Sequence, residues 1–177
     1  VVLGSGVGGG IILNGRLYRG NHFTAGEYSY VCTDAGRLEE KDCYWGINSG
    51  AAGLARAVAK YTQEDWKTYD GIRIFELANG GDEQVLRGLK DYTHNLAVQI
   101  YNLNVYLDLD LIAIGGGISR QPLLHEYLQK SLAEYLEQIP LRKISPYVPQ
   151  PRLTNCKFYN DANLIGALYH FINREEK

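Results

Sequence analysis

The chain of 177 residues has no methionine, only four histidines and three cysteines, and its 18 basic residues are outnumbered by 20 acidic ones. A formal net charge of −2 excludes the basic footprint of a nucleic-acid-binding lobe. Cys32, Cys43 and Cys156 are odd in number and irregular in spacing, so they make no disulfide framework. Reduced thiols in a cytoplasmic protein are the expectation. No apolar run approaches the ~20 residues that a membrane-spanning helix needs, and no secretory signal is present. No glycine-lysine-serine/threonine ending supports a P-loop, and the glycine spacing of a dinucleotide fingerprint is missing. The scarce histidines leave no Ser-His-Asp constellation to assemble. A chain that begins with Val1 and contains no methionine is expected to be a fragment of a longer protein.

What the chain has in quantity is glycine, 20 residues of it, and much of it falls in two clusters. Val1-Val2-Leu3 is a short apolar run, followed by Gly4-Ser5-Gly6-Val7-Gly8-Gly9-Gly10 and then Ile11-Ile12-Leu13-Asn14-Gly15. This reads as a strand, a glycine-packed turn and a second strand continued through Asn-Gly. Bare backbone amides here can approach an anion, with Ser5 adding a hydroxyl, so a phosphate is one guest that fits. A tight hairpin whose glycines only relieve crowding is the other reading. The second cluster, Gly115-Gly116-Gly117, ends the apolar run from Leu109 to Ile114 and precedes a helix opened by Pro122. Strand, glycine turn and helix is the geometry that places ligands at the carboxyl edge of a sheet. Two such turns suit a nucleotide held at both ends.

Between the clusters the pattern is α/β. Glu27 to Cys32 alternates and predicts a strand, and Thr33 to Asp42 is an irregular polar loop. Ser49 is placed to cap a helix running through Ala51 to about Tyr61, and Ile72 to Ala78 forms a short helix. Asp82 caps the longest helix, whose stripe runs Leu86, Leu89, Thr93, Leu96, Ile100, Leu103 and Leu107. A second stripe runs through Leu124, Leu128, Leu132, Tyr135 and Ile139. Pro140, Pro146, Pro149 and Pro151 predict an extended segment, and Arg152 to Phe158 a last strand. A terminal helix from Asp161 is expected to turn Leu164, Ile165, Leu168 and Phe171 inward. With 45% hydrophobic and 21% charged residues, these elements form one globular domain.

Three segments together resemble the ROK family of repressors, open reading frames and sugar kinases. Leu3 to Gly15, with Gly20 and Ala25-Gly26-Glu27, is similar to that family's second phosphate motif and sugar-loop approach. Leu111 to Ser119 resembles its adenosine segment, and Asn160 to Ala167 its closing helix. The resemblance implies the C-terminal lobe of a ribonuclease H-like, actin/hexokinase/Hsp70-superfamily fold, with a mixed sheet packed by helices. The whole of residues 1–177 would be that one lobe. The other lobe, with the aspartate-glycine phosphate loop and the general base, would be absent from this chain, so no catalytic residue is expected here.

The resemblance also implies ATP and Mg²⁺, with a sugar hydroxyl as phosphoryl acceptor. Gly4, Ser5, Gly6, Gly8 and Gly9 would meet the phosphates, and Gly115, Gly116 and Gly117 the adenosine. Glu27 falls on the glutamate that accepts sugar hydroxyls in the family, a task suited to two carboxylate oxygens; otherwise it is a solvated carboxylate. The family's motif continues with glycine and histidine where this chain has Ser29 and Tyr30. Tyr30 either donates its phenol to a hydroxyl or packs. Trp45 falls near a second sugar-contacting glutamate, and is either a pyranose platform or a core aromatic. The family's structural zinc needs one histidine and three cysteines, but only Cys32 and Cys43 are at hand, so no zinc is expected. Tyr44 and Trp45 would anchor the loop instead. The implied activity is a sugar kinase. The alternatives are the sugar-sensing effector domain of a ROK-type repressor and a non-catalytic scaffold. A homodimer, with no membrane partner, completes the expectation.

Overall fold

The computed structural model describes residues 1–144 and 147–173. Two antiparallel hairpins come first: β1 (Val2–Leu3) pairs with β2 (Val7–Gly8), and β3 (Ile11–Leu13) with β4 (Arg16–Tyr18). Asn14 and Gly15 close the second hairpin at φ of 53° and 75°, as the Asn-Gly pair of a type I′ turn requires. Three short 3-10 turns follow, at Tyr28–Tyr30, Ala35–Arg37 and Lys41–Cys43. Next come α1 (Trp45–Asn48), α2 (Ala51–Thr62), α3 (Gly71–Asn79), α4 (Glu83–Leu107) and β5 (Ile112–Ile114). The chain continues with α5 (Pro122–Gln138), α6 (Pro140–Ile144), β6 (Leu153–Asn155) and α7 (Ala162–Ile172).

The core is built around α4. Asp82 caps it, accepting from the Gln84 and Val85 amides at 3.0 and 3.1 Å. Its stripe buries Val85, Leu89, Tyr92, Leu96 and Ile100 completely, between Leu54 and Val58 of α2 and Leu124, Leu128 and Leu132 of α5. Gly88 lets α4 lie against α2, because a Cβ there would stand 2.5 Å from the Val58 Cα. Two polar pairs cross the helices inside this core. The Tyr92 hydroxyl donates to the Ser49 carbonyl at 2.7 Å, and burial pushes its pKa up. Thr93 and Ser131 share a hydroxyl–hydroxyl bond at 2.9 Å.

One small mixed sheet positions everything that follows. β5 and β6 pair in parallel, with Ile112 opposite Leu153 and Ile114 opposite Asn155. On the other side, Val2 bridges Gly115 in parallel, with Leu3 N–H donating to Gly115 O at 2.9 Å and Gly115 N–H to Val1 O at 2.8 Å. The spatial order is therefore β2–β1–β5–β6, with only β2 antiparallel to its neighbour.

Several expectations are corrected. Residues 28–30 form a 3-10 turn rather than a strand, so Tyr28 is buried and Tyr30 is 80% exposed, although they are two apart. In a 3-10 turn each residue rotates by a third of a circle, so alternation does not sort faces. Gly50, not Ser49, occupies the N-cap of α2; Ser49 is buried and donates to Asn48 Oδ1 at 2.7 Å. Pro140 opens a short helix, as proline does at a first helical position, instead of keeping the segment extended. Pro146 lies outside the described residues. The last strand is shorter than Arg152 to Phe158. Leu164, Leu168 and Phe171 of α7 face solvent rather than a core, and Ile165 is also exposed.

Candidate nucleotide and sugar site

β1 and β5 run parallel as neighbours, so the turns that follow them leave the same edge of the sheet. Gly4-Ser5-Gly6 closes the β1–β2 hairpin, with the Gly4 amide donating to Gly6 O at 3.0 Å. Gly115-Gly116-Gly117 follows β5 directly. The two turns touch. Gly116 sits at φ 96°, and a Cβ there would come within 2.7 Å of the Leu3 carbonyl carbon and closer still to its oxygen. Only glycine accepts both that backbone and that approach.

A helix end meets the first turn as well. The Ala51 N–H, at the start of α2, donates to Gly4 O at 2.8 Å, and a Cβ on Gly50 would stand 2.9 Å from the Ser5 carbonyl carbon. The positive end of the α2 dipole therefore abuts the Ser5 turn, where a negative group gains most. Ser5 itself is exposed.

Ser29 stitches the next segment to this turn. Its hydroxyl accepts from Val7 N at 3.2 Å and donates to Val7 O at 2.9 Å. Gly6 and Gly46 pack around it: a Cβ on Gly6 would lie 2.9 Å from Ser29 Oγ. Gly26, at φ 92°, lets residues 26–30 press on Gly9, whose carbonyl oxygen would be 2.7 Å from an added Cβ. Crowding relief therefore accounts for Gly6 and Gly9, which abuts the Tyr28 ring, whereas Gly8 meets nothing within 4 Å.

Beside the Ser5 turn lies an open cavity of about 630 Å³, walled by Ser5, Gly6, Ser29, Tyr30, Tyr44 and Ile47, with Glu39 and Lys41 at its side. Two charged groups of this wall, Glu39 and Lys41, carried no signal in the sequence; they sit in an irregular loop and reach the cavity only through its fold. Of the expected sugar contacts, Tyr30 is in the wall. Glu27 is exposed at the start of the same 3-10 turn, makes no capping bond and does not line the cavity. Trp45 is only 1% exposed and packs on Tyr28 with ring centroids 5.4 Å apart, so it is the core aromatic and not a platform. Its indole nitrogen is buried without a hydrogen-bond partner among the described residues.

The sequence model of the ROK family matches residues 1–174. The chain belongs to the ROK family. It is 29% identical over its whole length to a β-glucoside kinase of Listeria innocua, covering 57% of that protein. It is 31% identical over 97% of its length to an N-acetylmannosamine kinase of Vibrio vulnificus, covering 55% of it. A solved ROK family protein of Streptococcus pneumoniae, in complex with sucrose, superposes with a TM-score of 0.82 at 29% identity, over 97% of this chain and 56% of that one. The chain thus spans little more than half the length of the relatives it matches. Its α/β architecture is that of ROK family proteins, with the actin/hexokinase-like fold.

The family's zinc set needs one histidine and three cysteines, and the loop itself supplies two cysteines. Cys32 and Cys43 are neighbours, but among the described residues no group of three or more His, Cys, Asp or Glu side chains could hold a metal. The loop is held by other means. Arg37 pairs with Glu40 and Asp42, the Tyr44 hydroxyl donates to Leu38 O at 3.1 Å, and Asn48 donates to Thr33 Oγ1 at 2.7 Å. Among the described residues no helix is long and apolar enough to cross a membrane.

Proposed function

We propose that this ROK chain is the C-terminal, nucleotide- and sugar-binding lobe of an ATP-dependent sugar kinase. The observation that carries the reading is the contact between two glycine turns at one sheet edge, with the N-terminus of α2 at the first and the 630 Å³ cavity beside it. The glycine turn around Ser5, formed by Gly4, Gly6, Gly8 and Gly9, receives the ATP phosphates. Gly115, Gly116 and Gly117 receive the adenosine. Tyr30 and Glu27 meet sugar hydroxyls, while Trp45 stays in the core against Tyr28. Mg²⁺ accompanies the ATP and offsets its charge. The general base belongs to the preceding lobe, and transfer of the γ-phosphoryl then depends on positioning and charge stabilisation. Relatives named for β-glucosides and N-acetylmannosamine favour a hexose derivative as acceptor. The same reading carries a cytoplasmic location, where ATP is abundant, and a homodimer.

The test is a coupled ADP-release assay of the full-length protein with Mg²⁺-ATP against glucose, fructose, N-acetylmannosamine and β-glucosides. Sugar-dependent ADP release with at least one acceptor is expected. Silence across the panel, with no heat of ATP binding by calorimetry, overturns the kinase reading and leaves a sensor or scaffold.

A further inference from the structure

The loop from Thr33 to Asp42 is closed by a short two-stranded clasp. At one end the Thr33 amide and hydroxyl both donate to Cys43 O, at 2.7 and 2.6 Å. At the other the Trp45 amide donates to Val31 O at 2.8 Å. Between these bonds Cys32 faces Tyr44 in an antiparallel bridge. Directly opposed residues in such a bridge have Cα atoms about 4.5–5.5 Å apart. Cys43 is the residue next to that pairing, and a disulfide spans roughly 4.4–6.8 Å between Cα atoms. Cys43 ends the 3-10 turn Lys41–Cys43 rather than continuing a strand, and its thiol lies in reach of the Cys32 side chain. Both thiols are free; Cys32 is exposed and Cys43 is buried. The Cys43 thiol is pushed up by burial first and by the neighbouring Cys32 thiol second, which agrees with their proximity.

We propose that Cys32 and Cys43 are an oxidisable dithiol, a modification site that closes to an intramolecular disulfide on meeting a small-molecule disulfide. The exposed Cys32 loses its proton to solvent, and its thiolate attacks one sulfur of the small disulfide. The first thiolate leaves and a mixed disulfide forms at Cys32. Cys43 then gives up its proton and its sulfur attacks Cys32 Sγ, expelling the second small thiol. Two electrons pass from the two cysteines to the small disulfide, which ends as two thiols. The dithiol stands where two cysteines are too few for structural zinc. The segment it closes carries Glu39 and Lys41, and Tyr44 follows it at once; all three line the cavity beside Ser5. Bridging therefore restrains one wall of that cavity. Cys156 stands apart, against Gly115, where a Cβ would meet its sulfur at 2.9 Å.

The full chain is equilibrated with excess glutathione disulfide, alkylated under denaturing conditions and mapped by mass spectrometry. The expected result is the loss of two hydrogen atoms, alkylation at Cys156 alone and a linked pair of peptides carrying Cys32 and Cys43. Cys156→Ser keeps the bridge, and Cys32→Ser abolishes it with the fold intact by circular dichroism. Cys43→Ser abolishes it too; should that buried substitution fail to fold, Cys32→Ser and the peptide map decide. Three alkylated thiols, a glutathione adduct that stops at Cys32, a bridge through Cys156, or one bound zinc per chain that blocks oxidation would each overturn the proposal.

Discussion

Gly116→Ala is the substitution that strikes the junction of the two turns. The native residue is at φ 96° and ψ 174°, a region that side-chain-bearing residues occupy at about 1–3 kcal/mol. The new Cβ also meets the Leu3 carbonyl carbon at 2.7 Å, with the oxygen nearer still. Both are main-chain atoms of β1, held by the Leu3 N–H to Gly115 O bond at 2.9 Å, so no rotamer change relieves the clash. Overpacking of this kind costs about 1–3 kcal/mol. Together the two effects come to about 4 kcal/mol, which at a urea m-value of about 2 kcal/mol/M lowers the unfolding midpoint by about 2 M. Gly8→Ala is the control: its Cβ meets nothing within 4 Å and its φ is not positive, so the expected change is within about 0.5 kcal/mol. The assay is urea denaturation of both variants followed by far-UV circular dichroism. A Gly116→Ala midpoint indistinguishable from that of Gly8→Ala would refute the contact on which the site is built.

Three further outcomes follow from the same geometry. Ser29→Ala removes both hydrogen bonds to Val7 and is expected to cost about 1–3 kcal/mol in chemical denaturation, because the buried Val7 loses the partner of both its N–H and its carbonyl. Glu27→Ala, at an exposed position, is expected to leave the melting temperature unchanged. It should lower kcat/KM for the sugar by about 10-fold or more, the equivalent of a charge-assisted hydrogen bond of about 1.5–3 kcal/mol. Asp91 carries a pH dependence: partial burial raises its pKa, but hydrogen bonds from Lys60 at 2.9 Å and Tyr61 at 2.7 Å outweigh this and hold it below the ordinary range. Its contribution is present above the unfolded carboxylate pKa of about 3.9 and is lost as pH falls through the lower folded value. Asp91→Asn should flatten the acid limb of the stability curve by no more than about 1 kcal/mol, since the pair is exposed.

How far the fold was legible depended on whether one local signal decided each element. Asp82 followed by the Leu89, Leu96, Ile100 stripe predicted α4 and its buried face, because a cap and a 3.6-residue period are properties of a single helix. The same logic failed at α7. Its apolar residues are real, but a period cannot say what covers them, and Leu164 and Phe171 lie open to solvent. Tyr-Ser-Tyr at 28–30 read as alternation, yet the 3-10 turn separates Tyr28 from Tyr30 by rotation rather than by pleat. In the site, both glycine clusters were visible, but their contact was not. It arises from the parallel bridge between Val2 and Gly115, a pairing of residues 113 positions apart that no local pattern encodes. Glu39 and Lys41 were hidden for the same reason, since they reach the cavity only when the Cys32–Tyr44 bridge folds their loop back.

The central claim is that one ATP molecule lies across both turns. The most direct measurement is a crystal structure of the full-length protein with a non-hydrolysable ATP analogue and Mg²⁺. The account predicts the terminal phosphates against Ser5 and its neighbouring amides, with the purine against Gly115-Gly116-Gly117. A nucleotide bound with its phosphates away from the Ser5 turn, or its base away from the triple glycine, would contradict it.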